Sequence, residues 1–553
     1  MHQALEITEI LRSIFQWCDR KSNAKNAVVN KSWSEIGLDL VWEVITDINV
    51  IFGLLGEISM SNSTRFYSRR PTFAEWRRFQ TYYAHRVKTL DLTNLDEAQQ
   101  SRMTSLFDTL ARLQCSTPIF PNLTSVTWRD IDLSGYTHHS TIFMHPKVTR
   151  FRLIAHQTGN IREDLLNEYF HSVAERMPNI DRFQVEISHQ SHKLFREPLK
   201  AVFRELHRLE NLSLPAMSDN SDMMENLSLY HKLHSLNFVR MTREDGVERM
   251  TPSLAVGAFR HLVSLQIHTP YSVITHFLQE TPNFAARLTS LDITSTLPQS
   301  ESPSVVKDLL EVIASRFEKS LTSLHIRIDT RYPPDTSSSP SIYDFVSFQH
   351  IEAILRCYKM REFFLTHILP LYLRPDDVEK IASSWPFIVK LYLCADPRTD
   401  FPSDISMSHL GFDSLIPFTK SCPLLEKLEL PLDPTCIPLH LDEHELPVGP
   451  LRHLRSFSPG DVGLTPPGGL DVIAMVMFLS RVLPSSCEIS FYTSWANTSG
   501  TPLIPEEWNK KWTDVRRGLV LVEAMRGRMR REALDMVESL MKKRQEALMA
   551  FSN

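Results

Sequence analysis

Along most of the chain the apolar and polar positions recur in one short figure, L-x-x-L-x-L with aliphatic or aromatic replacements. Copies begin at residues 87, 123, 148, 180, 209, 233, 262, 288, 321, 360, 388 and 425, from Val87-Lys-Thr-Leu-Asp-Leu92 to Leu425-Glu-Lys-Leu-Glu-Leu430. A thirteenth, Leu454-Arg-Ser-Phe457, lacks the last apolar position. The twelve full copies stand 24 to 39 residues apart, about 31 on average, which is a long and irregular leucine-rich period. Inside each copy the alternation has period two, as a short strand requires. Before several copies it changes to helical spacing: Leu166, Phe170, Val173 and Met177 precede the fourth, and Val306, Leu310, Ile313 and Phe317 the ninth. Each unit therefore reads as helix, turn and short parallel strand. A single unit cannot cover its own apolar face, so the units must stack. The expected fold class is α/β: a short all-α N-terminal module, a leucine-rich-repeat solenoid with a curved parallel sheet inside and helices outside, and a C-terminal helix.

Three segments depart from this figure. Near the N-terminus Ile10, Leu11, Ile14, Phe15 and Cys18 recur at helical spacing after Thr8, a suitable N-cap. Ala24, Ala27 and Val28 suggest a second helix capped by Ser22, and Trp33, Ile36, Leu40 and Val41 a third. Three helices in about 40 residues make a small core, which predicts a partner that helps to cover it. Four polar stretches, Thr294–Ser304, Thr330–Ser341, Leu430–Pro450 and Ser458–Gly469, read as exposed, mobile insertions. From Pro505 onward, Trp512, Val515, Leu519, Val522, Met525, Met529, Ala533, Val537 and Leu540 form one helical stripe, with a basic opposite face, suited to capping the last repeat. The predicted divisions are residues 1–45, a helical connector 46–86, the repeats 87–500 and a basic amphipathic cap 501–553.

Composition removes several classes of function. Only 16 of 553 residues are Gly, none lies between 258 and 410, and neither G-x-G-x-x-G nor G-x-x-x-x-G-K-[ST] occurs, so the phosphate-cradling loops of nucleotide enzymes are missing. The helix-to-strand turns use Pro, Asn and Lys instead, as in Phe120-Pro-Asn122, Met177-Pro-Asn179 and Cys422-Pro423. A net charge of −5 calls for no nucleic acid and no acidic membrane surface. Seven scattered cysteines without a C-x-x-C read as reduced, mostly buried thiols. The longest apolar run, Val472–Leu479, is too short to span a membrane, and no signal peptide is evident, which predicts a cytoplasmic or nuclear protein. The histidine groups 138/139/145, 189/192 and 231/234 have no acidic or Cys companion at metal spacing, and no G-x-S-x-G occurs. No cofactor, metal or catalytic residue is expected.

The first 45 residues resemble an F-box. The strings Ala4-Leu-Glu-Ile-Thr-Glu-Ile-Leu-Arg-Ser-Ile-Phe15, Asp19-Arg-Lys-Ser22, Val29-Asn-Lys-Ser-Trp33 and Leu40-Val-Trp42 keep the family's order of motifs. Ala74-Glu-Trp-Arg-Arg-Phe79 and Tyr82-Tyr-Ala-His-Arg-Val-Lys-Thr-Leu90 are similar to the stretch next to the F-box in F-box and leucine-rich-repeat proteins of basidiomycete fungi. Thr8 stands where that family has Pro and Asn30 where it has Cys; Thr8 still offers a cap but lacks the apolar ring. The resemblance implies a substrate receptor of a cullin ubiquitin ligase. Its F-box would dock on a Skp-type adaptor, and through it on a cullin, while the repeats hold a protein substrate. Ile7, Thr8, Leu11, Ile14, Phe15, Val29 and Trp33 are its candidates for the adaptor surface or the core behind it. A leucine-rich scaffold with a degenerate F-box and no ubiquitin role is the alternative.

Side chains between the apolar strand positions point to the open face of the sheet. There the sequence places Arg129, Arg150, Arg152, Arg182 and Arg327, whose paired donors suit an acidic or phosphorylated segment, and Phe364 and Tyr392, which could anchor an apolar side chain.

Overall fold

The computed structural model describes residues 7–95, 97–113, 117–129, 138–155, 163–187, 192–240, 245–282, 284–297, 301–328, 345–367, 371–393, 410–433, 436–437, 451–460, 471–484, 486–490 and 506–551. The chain divides into two compact units, residues 1–268 with 283–287, and residues 269–282 with 288–553. The division falls inside the run of repeats.

The first unit opens with three helices, Thr8–Gln16, Arg20–Asn26 and Lys31–Trp42. Two of the expected caps differ. Ile7 occupies the first cap position with no side-chain bond, so Thr8 is inside the helix. Asp19, not Ser22, caps the second, accepting from the Ser22 amide at 2.7 Å. Asn30 caps the third, accepting from the Trp33 amide at 2.9 Å, which gives the residue found in place of Cys a structural task. Leu11, Phe15 and Ile36 are the buried core, with Trp33 and Leu40 packed against them. Gly37 lets the second and third helices touch: a Cβ there would lie 2.9 Å from the Asn23 carbonyl oxygen and 3.0 Å from the Ala27 Cβ.

The connector is not purely helical. Between the helices Asn49–Leu55 and Phe73–Tyr82 lies an antiparallel hairpin, Ile58–Ser61 with Thr64–Tyr67. Its tip residues Asn62 and Ser63 both have positive φ, as a two-residue hairpin turn demands. Eight strands of this unit run parallel in chain order: Val44–Ile45, Thr89–Leu92, Ser125–Arg129, Arg150–Ala155, Arg182–Ile187, Asn211–Pro215, Ser235–Val239 and Ser264–His268. One register row carries Leu90, Val126, Phe151, Phe183, Leu212, Leu236 and Leu265, all buried. The helices Glu163–Arg176 and His192–Glu205 cover that face, with Phe170 meeting Phe183 and Phe195.

The second unit repeats the plan with seven parallel strands: Ser290–Ser295, Ser323–Ile328, Glu362–Leu365, Lys390–Leu393, Lys427–Glu429, Ser456–Ser458 and Glu488–Ile489. Leu291, Leu324, Phe363, Leu391, Leu428, Phe457 and Ile489 form its buried row. All thirteen repeat copies are thus strands, and the two-residue strands Val44–Ile45 and Glu488–Ile489, too short to show the figure, add one at each end.

Position 294 does not begin a loose insertion. Thr294 and Ser295 finish a strand, and the buried Glu301 accepts from the Tyr271 amide at 2.9 Å and the Ser295 hydroxyl at 2.6 Å. The three other predicted insertions lie largely outside the described residues. Of the five described cysteines, Cys357 and Cys422 are buried, Cys18 and Cys487 half-buried and Cys436 exposed, so burial is less general than expected.

The helix Glu506–Phe551 packs its first half on Val472–Val482. Trp512 and Val515 are buried there, and Gly518 leaves room for Val476, whose Cγ2 would be 2.6 Å from an added Cβ. Arg526 donates to the Ser480 hydroxyl at 3.2 Å, but Met525, Met529 and Val537 remain exposed, so the predicted apolar stripe is covered over only part of its length.

One turn recurs before the strands. A carbonyl accepts from the amide three residues further on: Phe120 from Leu123, His145 from Val148, Met177 from Ile180 and Tyr230 from Leu233, then Cys357 from Met360, Trp385 from Ile388 and Cys422 from Leu425. After it, one carbonyl of the preceding strand's lead-in accepts two successive amides: Lys88 O takes Thr124 and Ser125, Thr149 O takes Asp181 and Arg182, and Val389 O takes Glu426 and Lys427. Asn122 and Asn179 reinforce this laterally, donating to the carbonyls of His85 and Pro146 at 2.8 Å. Pro at the second position presets φ for several of these turns, and where the turn before Ser264–His268 takes positive φ, at Phe259, glycine is still not used.

Candidate functional site

The candidate residues fall on three surfaces, two in the first unit and one in the second. On the N-terminal helices the seven candidates separate by burial. Leu11 and Phe15 are core, and Trp33 is half-buried, meeting Phe15 edge-on at 5.2 Å. Ile7, Thr8, Ile14 and Val29 are exposed. Ile10 and Trp17 join Ile7 and Ile14 in one outward stripe, since steps of three and four residues keep a helix face, and Trp17 is 93% exposed. Val28 adds to Val29 in the turn after the second helix. Ile10, Trp17 and Val28 were not among the candidates, although the 7-10-14-17 spacing was available to find two of them.

Arg86, a residue that periodicity cannot single out, ties this module to the first repeats. Its side chain is only 5% exposed and pairs with Glu35 at 2.5 Å and with Asp39. It also donates to the carbonyls of Glu35 at 3.0 Å and Tyr82 at 2.9 Å, while Arg12 holds the other Asp39 oxygen at 2.7 Å.

On the open sheet face of the first unit, Arg150 and Arg182 are exposed register partners, and neither side chain has a polar partner among the described residues. Like charges directly opposite one another on neighbouring strands repel. Arg152 differs: its Nε donates to Glu186 at 2.8 Å, and Gln184 donates to the same oxygen at 2.6 Å, so its fork is engaged internally. Arg129 is half-buried and donates to the Thr93 carbonyl at 3.2 Å.

In the second unit one register row reads Asp292, His325, Phe364, Tyr392, Glu429. Phe364 and Tyr392 stack with centroids 3.8 Å apart and planes at 20°, and His325 leans on Phe364 at 4.2 Å. Arg327 is paired with Asp292, so it too has an internal partner. His325 lies 3.6 Å from both Asp292 and Glu362, and Glu362 takes Lys390 at 2.7 Å. Burial raises the Asp292 carboxyl, but the neighbouring His325 and Arg327 outweigh it and hold it below the usual range. Burial, with Glu429 and Glu362, pushes the Tyr392 phenol up to about 12. The face is thus a rigid aromatic step with its charges mutually compensated.

The geometry defines a strand-turn-helix repeat protein with parallel sheets. No family model and no curated protein matches the chain. Among solved structures, a chain of the Rad7 and Elc1 complex in yeast is similar over 85% of this chain and 97% of that one, at 11% identity and a TM-score of 0.32. That likeness is too distant to bear on function. Among the described residues, no helix is long and apolar enough to cross a membrane.

Proposed function

We propose that this chain is a non-catalytic receptor of the Skp-cullin-F-box type, whose N-terminal helices dock on a Skp-type adaptor and whose repeat faces hold a protein substrate. The carrying observation is the exposed stripe Ile7, Ile10, Ile14 and Trp17 on a module whose core is small, built on Leu11, Phe15 and Ile36 with Trp33 and Leu40 against them. A small module that leaves a contiguous apolar stripe outside is built to be covered. The adaptor supplies that cover in this reading, and proximity to the ubiquitin-charged enzyme does the rest.

For the substrate, the reading assigns Arg150 and Arg182 to an acidic or phosphorylated segment and the Phe364–Tyr392 stack to an apolar anchor. The unrelieved repulsion of the two arginines supports the first, since an anion between them would remove it. Cytoplasm or nucleus is the expected compartment. The test is co-purification of the full chain with a Skp-type adaptor. Wild-type binding lost in Ile14→Glu, with native helix content retained, supports the receptor; an adaptor that fails to bind the wild type sinks it and leaves the repeat scaffold.

A further inference from the structure

A hollow on the helix side of the first unit, away from the strand face, has the make-up of a ligand site. It lies between the last turn of the helix His192–Glu205 and the turn before the strand Ser235–Val239, and its volume is about 460 Å³. Sites for ligands of drug-like size start at about 300 Å³. Phe203 and the Tyr230 ring form its floor, and Leu229, held 69% exposed at the lip, extends it. The turn is fixed: Ser228 donates to the Glu225 carbonyl at 2.6 Å, and the Tyr230 and Leu233 amides close successive turns.

The rim has one sign. Arg204, Lys232, His207 and His231 line it, Lys200 enters from the helix, and no carboxylate is among the lining side chains. The acids on the adjoining turns have partners: Glu197 and Asp222 pair with Lys200 at 2.9 and 3.7 Å, Asp222 also takes Arg196 at 2.9 Å, Glu205 lies 3.6 Å from His171, and Glu225 accepts from the Ser253 amide at 2.6 Å. Arg204 and Lys232 make no side-chain hydrogen bond or ion pair among the described residues. Basic side chains at a helix C-terminus are ordinary dipole partners. A dipole effect accounts for neither the apolar floor nor the second set of basic side chains on the facing turn.

We infer that this hollow binds a small organic anion with a flat apolar body, of the aromatic carboxylate class, with the body on Phe203, Tyr230 and Leu229 and the carboxylate between Arg204 and Lys232. Arg204 and Lys232, neither of them paired among the described residues, stand with His207 and His231 around an apolar floor, which favours such a ligand over a neutral or a cationic one.

The experiment is calorimetric titration of the full chain with 2-naphthoate and with its neutral counterpart 2-naphthamide. The expected result is saturable 1:1 binding of naphthoate, weakened at least about tenfold in Arg204→Ala/Lys232→Ala, with the amide weaker by a similar factor. Leu229→Asp should also weaken naphthoate, by placing a carboxylate at the lip. Circular dichroism and an unchanged melting curve would certify each variant as folded. Absence of saturable naphthoate binding, equal binding of the amide, or a double variant that binds like the parent would each overturn the assignment. None of these outcomes touches the adaptor or the strand face, so this site and the receptor reading fail independently.

Discussion

Replacing Arg86 with Ala removes a buried polar link between the N-terminal helices and the first repeats. The variant loses the bond to Glu35 at 2.5 Å, the Asp39 contact, and the donors to the Glu35 and Tyr82 carbonyls. A buried ion pair broken on one side typically costs about 3 to 5 kcal/mol. Here the Glu35 carboxylate is 66% exposed and can turn to water, and Asp39 keeps Arg12, so the orphaned carbonyls dominate and about 2–3 kcal/mol is expected. In a chain this long, unfolding is not a single transition, so the assay is native-state hydrogen exchange of Thr8–Gln16 and Lys31–Trp42. Local opening of these helices should become about 30- to 150-fold more frequent, with exchange in the later strands unchanged. Arg86→Lys, which keeps the charge but loses the fork, should fall between the two. Protection in Arg86→Ala within about twofold of the parent would refute the reasoning.

Gly37→Ala should loosen the same helices by about 1–3 kcal/mol, since its Cβ would press on the Asn23 backbone oxygen at 2.9 Å, and exchange of Arg20–Asn26 would report it. Cys357 and Cys422 are fully buried and their thiols are pushed up to about 12 by burial, so iodoacetamide at about pH 8 should modify them only after unfolding, as read by peptide mass spectrometry. The Asp292 carboxyl is held below its ordinary value of 3.8, so the stabilisation it gives is complete above that pH and is lost as pH falls through the lower, folded-state value. Melting of the second unit should therefore fall off in acid less steeply in Asp292→Asn than in the parent.

The strands were legible because each copy of the figure encodes both the alternation and the turn before it, and thirteen copies agree with one another. Helix caps were less so: Asp19 and Ser22 are both acceptable, and only the position of the first turn decides between them. What the open faces do with their charges was not legible. Arg152 and Glu186 are 34 residues apart, and Arg327 and Asp292 are 35 apart, so pairing depends on which strands are neighbours and in what register. Arg150 and Arg182, by contrast, are free because the residues registered beside them happen to be polar or basic. Arg86 was invisible for the same reason, since its partners lie about 50 residues back, on a helix that the repeat figure does not include.

The carbonyl that takes two amides before most of the strands sets how the chain would respond to tension. Within either unit the sheet is joined from strand to strand by short runs of bonds and one such fork, and among the described residues no strand returns to bridge several neighbours. Drawn out from one end, the structure would yield one repeat at a time, each giving up a fork, a strand and a helix before load reaches the next. Repeats of 24 to 39 residues would lengthen by about 80 to 140 Å apiece, so a force trace would show uneven steps whose sizes follow the spacing of the leucines.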